Sequence, residues 1–136
     1  MARSKSAQHL APNHRTVFTA LRKAGRPVTA YQLIDAVRPA GISAPPTIYR
    51  ALERLIAEGQ AHRLESLNSF VACTQDHPHT GTTVFMICDD CGNADEITDE
   101  EVAVQLESRT REVGFLAGST TIEMRGHCEA CATRSP

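Results

Sequence analysis

The chain has few aromatic residues and no long apolar run. Its 136 residues include no tryptophan, two tyrosines and four phenylalanines. Proteins that bind single-stranded nucleic acid stack bases on aromatic side chains, so this composition disfavours such a role. The absence of any run of about 18 apolar residues argues against a membrane-spanning helix, and no membrane partner is expected. Residues 1–10 are basic and polar without an apolar signal core, which predicts a cytoplasmic protein.

Signatures of catalysis are also missing. The sequence has no glycine-rich phosphate loop, no Ser/His/Asp set and no paired acid–base carboxylates. A redox C-x-x-C normally begins a helix in a thioredoxin-like unit, whereas Cys88 follows a predicted strand and is soon followed by Gly92. We therefore predict that the chain is not an enzyme and expect no small organic ligand. The competing hypothesis, a thiol enzyme or redox switch, requires a reactive dithiol without metal.

Charge is distributed unevenly along the chain, although the formal net charge is only -2. Residues 1–72 carry 10 basic and 4 acidic side chains, whereas residues 73–136 carry 4 basic and 12 acidic ones. A basic first half and an acidic second half indicate two modules with different partners. The basic module suits a polyanion such as DNA.

Four of the five cysteines form two identical pairs. Cys88 and Cys91 make one C-x-x-C, and Cys128 and Cys131 make the other. Two such pairs are the usual four-thiolate site for structural zinc, because the short spacing lets both sulfurs of a turn face one tetrahedral ion. Cys73 stands outside both pairs. Burial as a small hydrophobic residue is one alternative for this fifth cysteine.

The first half has the pattern of three helices followed by a hairpin. Apolar residues at helical spacing predict helices near residues 14–24, 30–38 and 46–59, with Thr29 as an N-cap and Gly59 as a C-cap. The third helix has an apolar face of Ile48, Leu52, Leu55 and Ile56. Alternating residues around the turn at residues 66–69 predict a β-hairpin. This order is typical of a winged helix-turn-helix, whose third helix enters the DNA major groove.

The second half has the pattern of a small α/β domain. Strands are predicted at residues 82–87, 94–98 and 119–125, and a helix at 100–113, capped by Asp99, with Val102, Leu106 and Val113 on one face. We therefore predict an α+β protein. Its divisions are a disordered arm (1–10), a winged-helix DNA-binding domain (11–74), a hinge (75–81) and a zinc-binding domain (82–136).

The polar side of the third helix carries candidate DNA contacts. These are Thr47, Tyr49, Arg50 and Arg54. Arg50 suits a bidentate pair with guanine, and Tyr49 suits contact with a thymine methyl. The expected phosphate contacts are then Arg15, Arg22, Lys23 and Tyr31. The pattern alone is equally consistent with an ordinary amphipathic surface helix.

A resemblance to a known family bears on that choice. The segments Ala30-Tyr31-Gln32-Leu33-Ile34 and Pro46-Thr47-Ile48-Tyr49-Arg50-Ala51-Leu52, followed by both C-x-x-C pairs, resemble the ferric uptake regulator (Fur) family. The resemblance covers roughly residues 12–131. It implies a dimeric, metal-sensing repressor, with a winged helix followed by an α/β dimerisation domain. Its expected partners are double-stranded operator DNA and a second copy of the chain.

Within this family the sequence is most similar to the zinc uptake regulator branch. That resemblance implies a regulatory zinc site made of His62, Cys73, His79 and Glu96, with His77 as the alternative hinge ligand. These residues come from both predicted domains, so a bound ion would stabilise one arrangement of the two. One thiolate, two imidazoles and one carboxylate suit tetrahedral zinc.

The resemblance also implies how many ions are bound and what they control. Many relatives carry a further site in the dimerisation domain, but the positions around Gly118 and Ser119 offer no histidine for it. About two zinc ions per subunit are therefore expected, one structural and one regulatory. The implied function is zinc-responsive repression of zinc-uptake genes through palindromic operators. The alternative within the family is an iron, manganese or peroxide sensor.

Overall fold

The structure, a computed structural model, describes residues 11–73 and 82–133. The chain divides into two compact units, Met1–Asp76 and His77–Pro136, which we call the first and second units. The predicted arm (1–10) and hinge (75–81) lie outside the described residues. Within the described ranges, no helix is both long and apolar enough to cross a bilayer.

The first unit consists of three helices and a two-stranded antiparallel hairpin. Its elements are α1 (Pro12–Ala24), α2 (Ala30–Val37), α3 (Pro45–Ala57), β1 (Ala61–Leu64) and β2 (Ser69–Ala72). The predicted N-cap at Thr29 is confirmed. Its hydroxyl accepts the Gln32 amide at 3.2 Å, and the Gln32 side chain accepts the Thr29 amide at 2.8 Å. Such a capping box stabilises a helix start by about 1 kcal/mol.

The predicted hairpin forms, and its strands pair from Ala61 opposite Ala72 to Leu64 opposite Ser69. His62 pairs with Val71, and Asn68, in the left-handed region at φ 46°, ends the turn between the strands. Val28 forms an isolated bridge to Phe70 through two backbone hydrogen bonds of 2.7 and 2.9 Å. This bridge ties the segment between α1 and α2 to the hairpin, and the sequence did not indicate it.

A single apolar core joins the helices to the hairpin. Val17, Ile48, Leu52 and Leu55 are each at most 1% exposed. The expectation for Ile56 was wrong, because its side chain is 38% exposed. The stripe of α3 that faces α1 and α2 is completed by Ile48, Ala51, Leu52 and Leu55, which leaves Ile56 at the edge.

The second unit contains a three-stranded mixed sheet. Its elements are β3 (Thr82–Cys88), β4 (Ala94–Ile97), α4 (Glu100–Glu112), β5 (Thr120–Gly126) and α5 (Glu129–Ala132). The strand order is β4-β3-β5, with β4 antiparallel and β5 parallel to β3. The α+β class is thereby confirmed. The sequence did not predict the one-turn helix α5.

Most of the buried side chains of the second unit lie on β3. No residue of α4 is buried in the described part of this single chain, although Asp99 caps the helix as predicted by accepting two amides at 2.9 and 3.1 Å. The predicted face of Val102, Leu106 and Val113 forms, but each of these side chains is at least 36% exposed. A large apolar surface at this helix is typical of an interaction site.

Candidate metal centre and nucleic-acid interface

The four paired cysteines lie together in the second unit. The sulfur atoms of Cys88, Cys91, Cys128 and Cys131 are all within 4.8 Å of one another, and the Cys91–Cys128 distance is 3.9 Å. Zinc–sulfur bonds of about 2.3 Å in a tetrahedron place sulfur atoms about 3.8 Å apart. None of the five cysteines forms a disulfide. The donor set and its spacing therefore fit a tetrahedral thiolate-bound metal ion.

The sheet brings the two pairs together. Parallel pairing of β3 with β5 ends at Cys88 opposite Gly126, so both C-x-x-C turns leave the same end of the sheet. The first turn is closed by the amide of Gly92, which donates to the Cys88 carbonyl at 3.0 Å. Gly92 itself has a left-handed backbone conformation, with φ 74°. The second begins at Cys128, which is the N-cap of α5.

The thiols of this cluster have pKa values shifted in opposite directions. Hydrogen bonds from the backbone, first at Cys128 and then at Cys91, lower the pKa of Cys88 to about 6. Hydrogen bonding with the neighbouring side chains, first Cys128 and then Cys88, raises the pKa of Cys131 to about 12. Backbone donors thus stabilise the first negative charge, while crowding opposes the last. A divalent cation relieves that repulsion, which is a second respect in which the cluster fits a metal.

One arginine–carboxylate ion pair and one histidine–carboxylate contact connect the turns that carry the cysteines. The Arg125 guanidinium donates to one Asp89 carboxylate oxygen from Nε and from a terminal nitrogen, each at 2.8 Å. The Nδ1 atom of His127 lies 3.0 Å from Oδ2 of Asp90. Of these four residues, the sequence suggested a role only for His127, which lies beside Cys128 and could donate a hydrogen bond near the metal. It did not indicate the aspartate partner of His127 or the Asp89–Arg125 pair, although two aspartates between the first cysteines and two basic residues before Cys128 were a visible signal.

Two members of the predicted regulatory set lie side by side in the first unit. His62 is on β1, and Cys73 directly follows β2, where its amide donates to the Gln60 carbonyl at 2.8 Å. Cys73 lies two residues beyond Val71, the cross-strand partner of His62, so both side chains are on one face of the hairpin. A ring nitrogen of His62 is within 4.8 Å of the Cys73 sulfur, and both residues are half-buried.

The other proposed regulatory ligands belong to later segments of the sequence. Glu96 is half-buried on β4 of the second unit, opposite Phe85 of β3. His77 and His79 lie outside the described residues. The assignment of these ligands therefore stays a prediction.

The predicted DNA contacts form a polar surface on the first unit. Tyr49, Arg50 and Arg54 are exposed on α3, Thr47 is half-buried in its first turn, and Arg15 is exposed on α1. Tyr31 is 81% exposed on α2. Thr47 and Arg50 border a surface depression together with residues 11–14 at the start of α1, so the beginnings of two helices share one surface.

The two arginines of α3 differ in their partners. A terminal nitrogen of Arg54 lies 2.7 Å from a carboxylate oxygen of Glu58, one helical turn later. Within the described residues, Arg50 has no ion-pair partner and its guanidinium is open to an external acceptor. This difference separates two residues that sequence analysis treated alike.

Comparisons with known proteins decide the family. No family model matches the chain. The zinc uptake regulation protein of Escherichia coli (strain K12) is 39% identical over 105 residues, which are 76% of this chain and 61% of that protein. The crystal structure of holo XcZur superposes with a TM-score of 0.84 at 44% identity, covering 91% of this chain and 86% of that one. A zinc uptake regulator complexed with zinc and DNA gives a TM-score of 0.86 at 34% identity, covering 94% and 88%.

The chain belongs to the zinc uptake regulator branch of the ferric uptake regulator family. This membership confirms the family resemblance noted in the sequence. The relatives are named as zinc uptake regulators, and one of them was solved in complex with zinc and DNA. The chain spans less than two thirds of the length of the E. coli relative.

Proposed function

We propose that this protein is a zinc-responsive transcriptional repressor of zinc-uptake genes, which binds palindromic operators as a zinc-loaded dimer in the cytoplasm. The observation that carries the proposal is the similarity to a zinc uptake regulator complexed with zinc and DNA, which extends over 94% of this chain. The four-cysteine cluster and the exposed face of α3 supply the chemistry that each partner requires.

The proposal includes about two zinc ions per subunit. Cys88, Cys91, Cys128 and Cys131 would hold the structural ion, whose charge allows four thiolates to lie close together. The regulatory ion would be held by His62, Cys73, His79 and Glu96, with His77 as the alternative to His79. The nearby imidazole and thiol of His62 and Cys73 support this set because such mixed ligands favour zinc over iron or manganese.

Dimerisation is supported by the apolar surface of the second unit. Val104, Val113, Phe115 and Leu116 are each at least 59% exposed at α4 and the segment that follows it. A monomer would leave this apolar surface in water, whereas a second copy of the chain would bury it. A symmetric dimer would also present two copies of α3 to the two halves of a palindrome.

The metal preference can be tested by operator binding at buffered free metal concentrations. We expect half-maximal binding at a free zinc concentration at least about 100-fold below that required for iron or manganese, because the proposed sensing set contains a thiolate. Fluorescence anisotropy of labelled operator DNA measures this response directly. An equal or stronger response to iron or manganese would support the alternative regulator and contradict the proposed function.

The α3 arginines give a test of the DNA-reading surface. Arg50→Ala is expected to weaken operator binding by about 1–3 kcal/mol and to reduce discrimination at one base pair, because the unpaired guanidinium can read guanine. Arg54→Ala is expected to cost less, since Glu58 already holds this side chain. Operator affinities measured at several salt concentrations, with one base pair varied at a time, compare the two variants. A greater loss of operator affinity for Arg54→Ala than for Arg50→Ala would indicate that Arg54, and not Arg50, is the main base-reading residue.

A further inference from the structure

The four cysteines Cys88, Cys91, Cys128 and Cys131 are called the cage below. The two residues between Cys88 and Cys91 pair with residues that lie just before Cys128. The first turn reads Cys88-Asp89-Asp90-Cys91, and the segment entering the second reads Arg125-Gly126-His127-Cys128. Asp89 binds Arg125, and Asp90 binds His127, so consecutive carboxylates on one turn meet alternate basic residues on the other. Each pair joins positions 36 or 37 residues apart in the sequence.

The pairs extend the connection between turns beyond the end of the sheet. The β3–β5 ladder ends at Cys88 and Gly126, and the Asp89 amide then donates to the Gly126 carbonyl at 2.8 Å. Past that bond, Asp90 and His127 continue the contact toward Cys91 and Cys128, whose sulfurs are 3.9 Å apart. Beyond the end of the ladder, the backbone no longer fixes the distance between the two cysteine pairs. The side-chain contacts of Asp90 and His127 therefore connect the two pairs there.

The charges of the pairs also suit this location. Four thiolates around one divalent ion leave a net charge of about -2, and Asp89 and Asp90 add further negative charge beside the sulfurs. Arg125 offsets part of that charge through two hydrogen bonds to one carboxylate oxygen. Solvent-exposed ion pairs contribute little to folding stability, so the main effect expected of these pairs is on how the four cysteines are brought together around the metal.

We propose that Asp89–Arg125 and Asp90–His127 form a brace that positions the two C-x-x-C turns for metal and slows metal release. Asp89, Asp90, Arg125 and His127 are positioning residues, because they act through the cysteines without binding the ion. The proposal rests on the structural zinc site proposed for the chain. Partners of this kind, which hold metal ligands in place, typically change metal affinity about 10–100-fold when removed.

A double-mutant cycle on the full-length, zinc-loaded protein tests the brace. Asp89→Asn and Arg125→Gln are each expected to release zinc about tenfold faster to a colorimetric chelator in excess, and the double variant should release it no faster than either single one. The cobalt-substituted proteins supply a spectroscopic readout. The wild type should show the intense visible bands of a tetrahedral four-thiolate site, and both single variants should show weaker or shifted bands.

Arg111→Gln is the matched control. It removes an arginine–carboxylate pair of 2.6 Å with Glu107 on α4 of the same unit, away from the cysteine turns. Its release rate and cobalt spectrum should equal those of the wild type. Single variants that release zinc within twofold of the wild type, or whose effects multiply in the double variant, would overturn the brace alone. A wild-type chain without four-thiolate cobalt bands would overturn both the brace and the structural site.

Discussion

Replacing Cys128 with serine is expected to unfold the second unit while the first unit stays folded. The second unit has most of its buried side chains on one strand, and α4 contributes none. Structural zinc sites supply on the order of 10 kcal/mol or more of folding free energy, which is comparable to the whole stability of a small domain. The first unit has its own core of fifteen buried residues and no cage cysteine.

Hydrogen-exchange mass spectrometry can show whether the second unit of Cys128→Ser is folded or unfolded. In Cys128→Ser, amides of β3 and β5 should lose most of their protection, whereas amides of α1 and α3 should keep theirs. Treatment of the wild type with a strong chelator should reproduce this pattern. Cys73→Ser serves as the matched control, because it makes the same atomic change at a cysteine outside the cage. Retained protection of β3 and β5 in Cys128→Ser would show that the unit folds without the metal.

Cys73→Ser is expected to remove zinc-dependent operator binding. Loss of the one proposed thiolate ligand should raise the zinc concentration for half-maximal binding by more than about 100-fold, which corresponds to about 3 kcal/mol. The protein should still be dimeric by analytical ultracentrifugation and should still hold one zinc ion per chain. Metal analysis and operator titrations on the same preparation measure both properties.

His62 provides an independent check of the same site. His62→Ala should reproduce the effect of Cys73→Ser, because the imidazole lies within 4.8 Å of that sulfur. His9→Ala removes a histidine to which no site is assigned and should leave zinc dependence unchanged. Normal zinc-dependent binding by both Cys73→Ser and His62→Ala would contradict the regulatory assignment while leaving the family membership intact.

Local interactions made much of the fold predictable. The N-caps at Thr29 and Asp99 and the presence of the β1–β2 hairpin each depend on residues a few positions apart, so the sequence pattern could indicate them. The same holds for the four cysteines, because two C-x-x-C pairs in one short domain have few other uses. The family resemblance added the proposed regulatory ligands, which periodicity alone does not indicate.

Features that depend on distant residues were not predictable. The parallel pairing of β3 with β5 joins strands on either side of α4, and the Val28–Phe70 bridge joins α2's entry to the hairpin. The helix α5 is only four residues long, too short for an apolar period, and Cys128 begins it. Ile56 was misplaced because a period of 3.6 residues leaves the edge of an apolar stripe uncertain.

The two cysteine pairs of the cage are far apart in the sequence, so the ribosome makes one pair well before the other. Cys88 and Cys128 are about 40 residues apart, and ribosomes add about 5–20 residues per second. The first dithiol therefore waits about 2–8 seconds during synthesis before its partners exist. The parallel β3–β5 ladder cannot form in that interval, since β5 has not been made. The nascent chain thus passes through a stage in which Cys88 and Cys91 exist without the second pair, and the four-cysteine site is completed only near the end of synthesis.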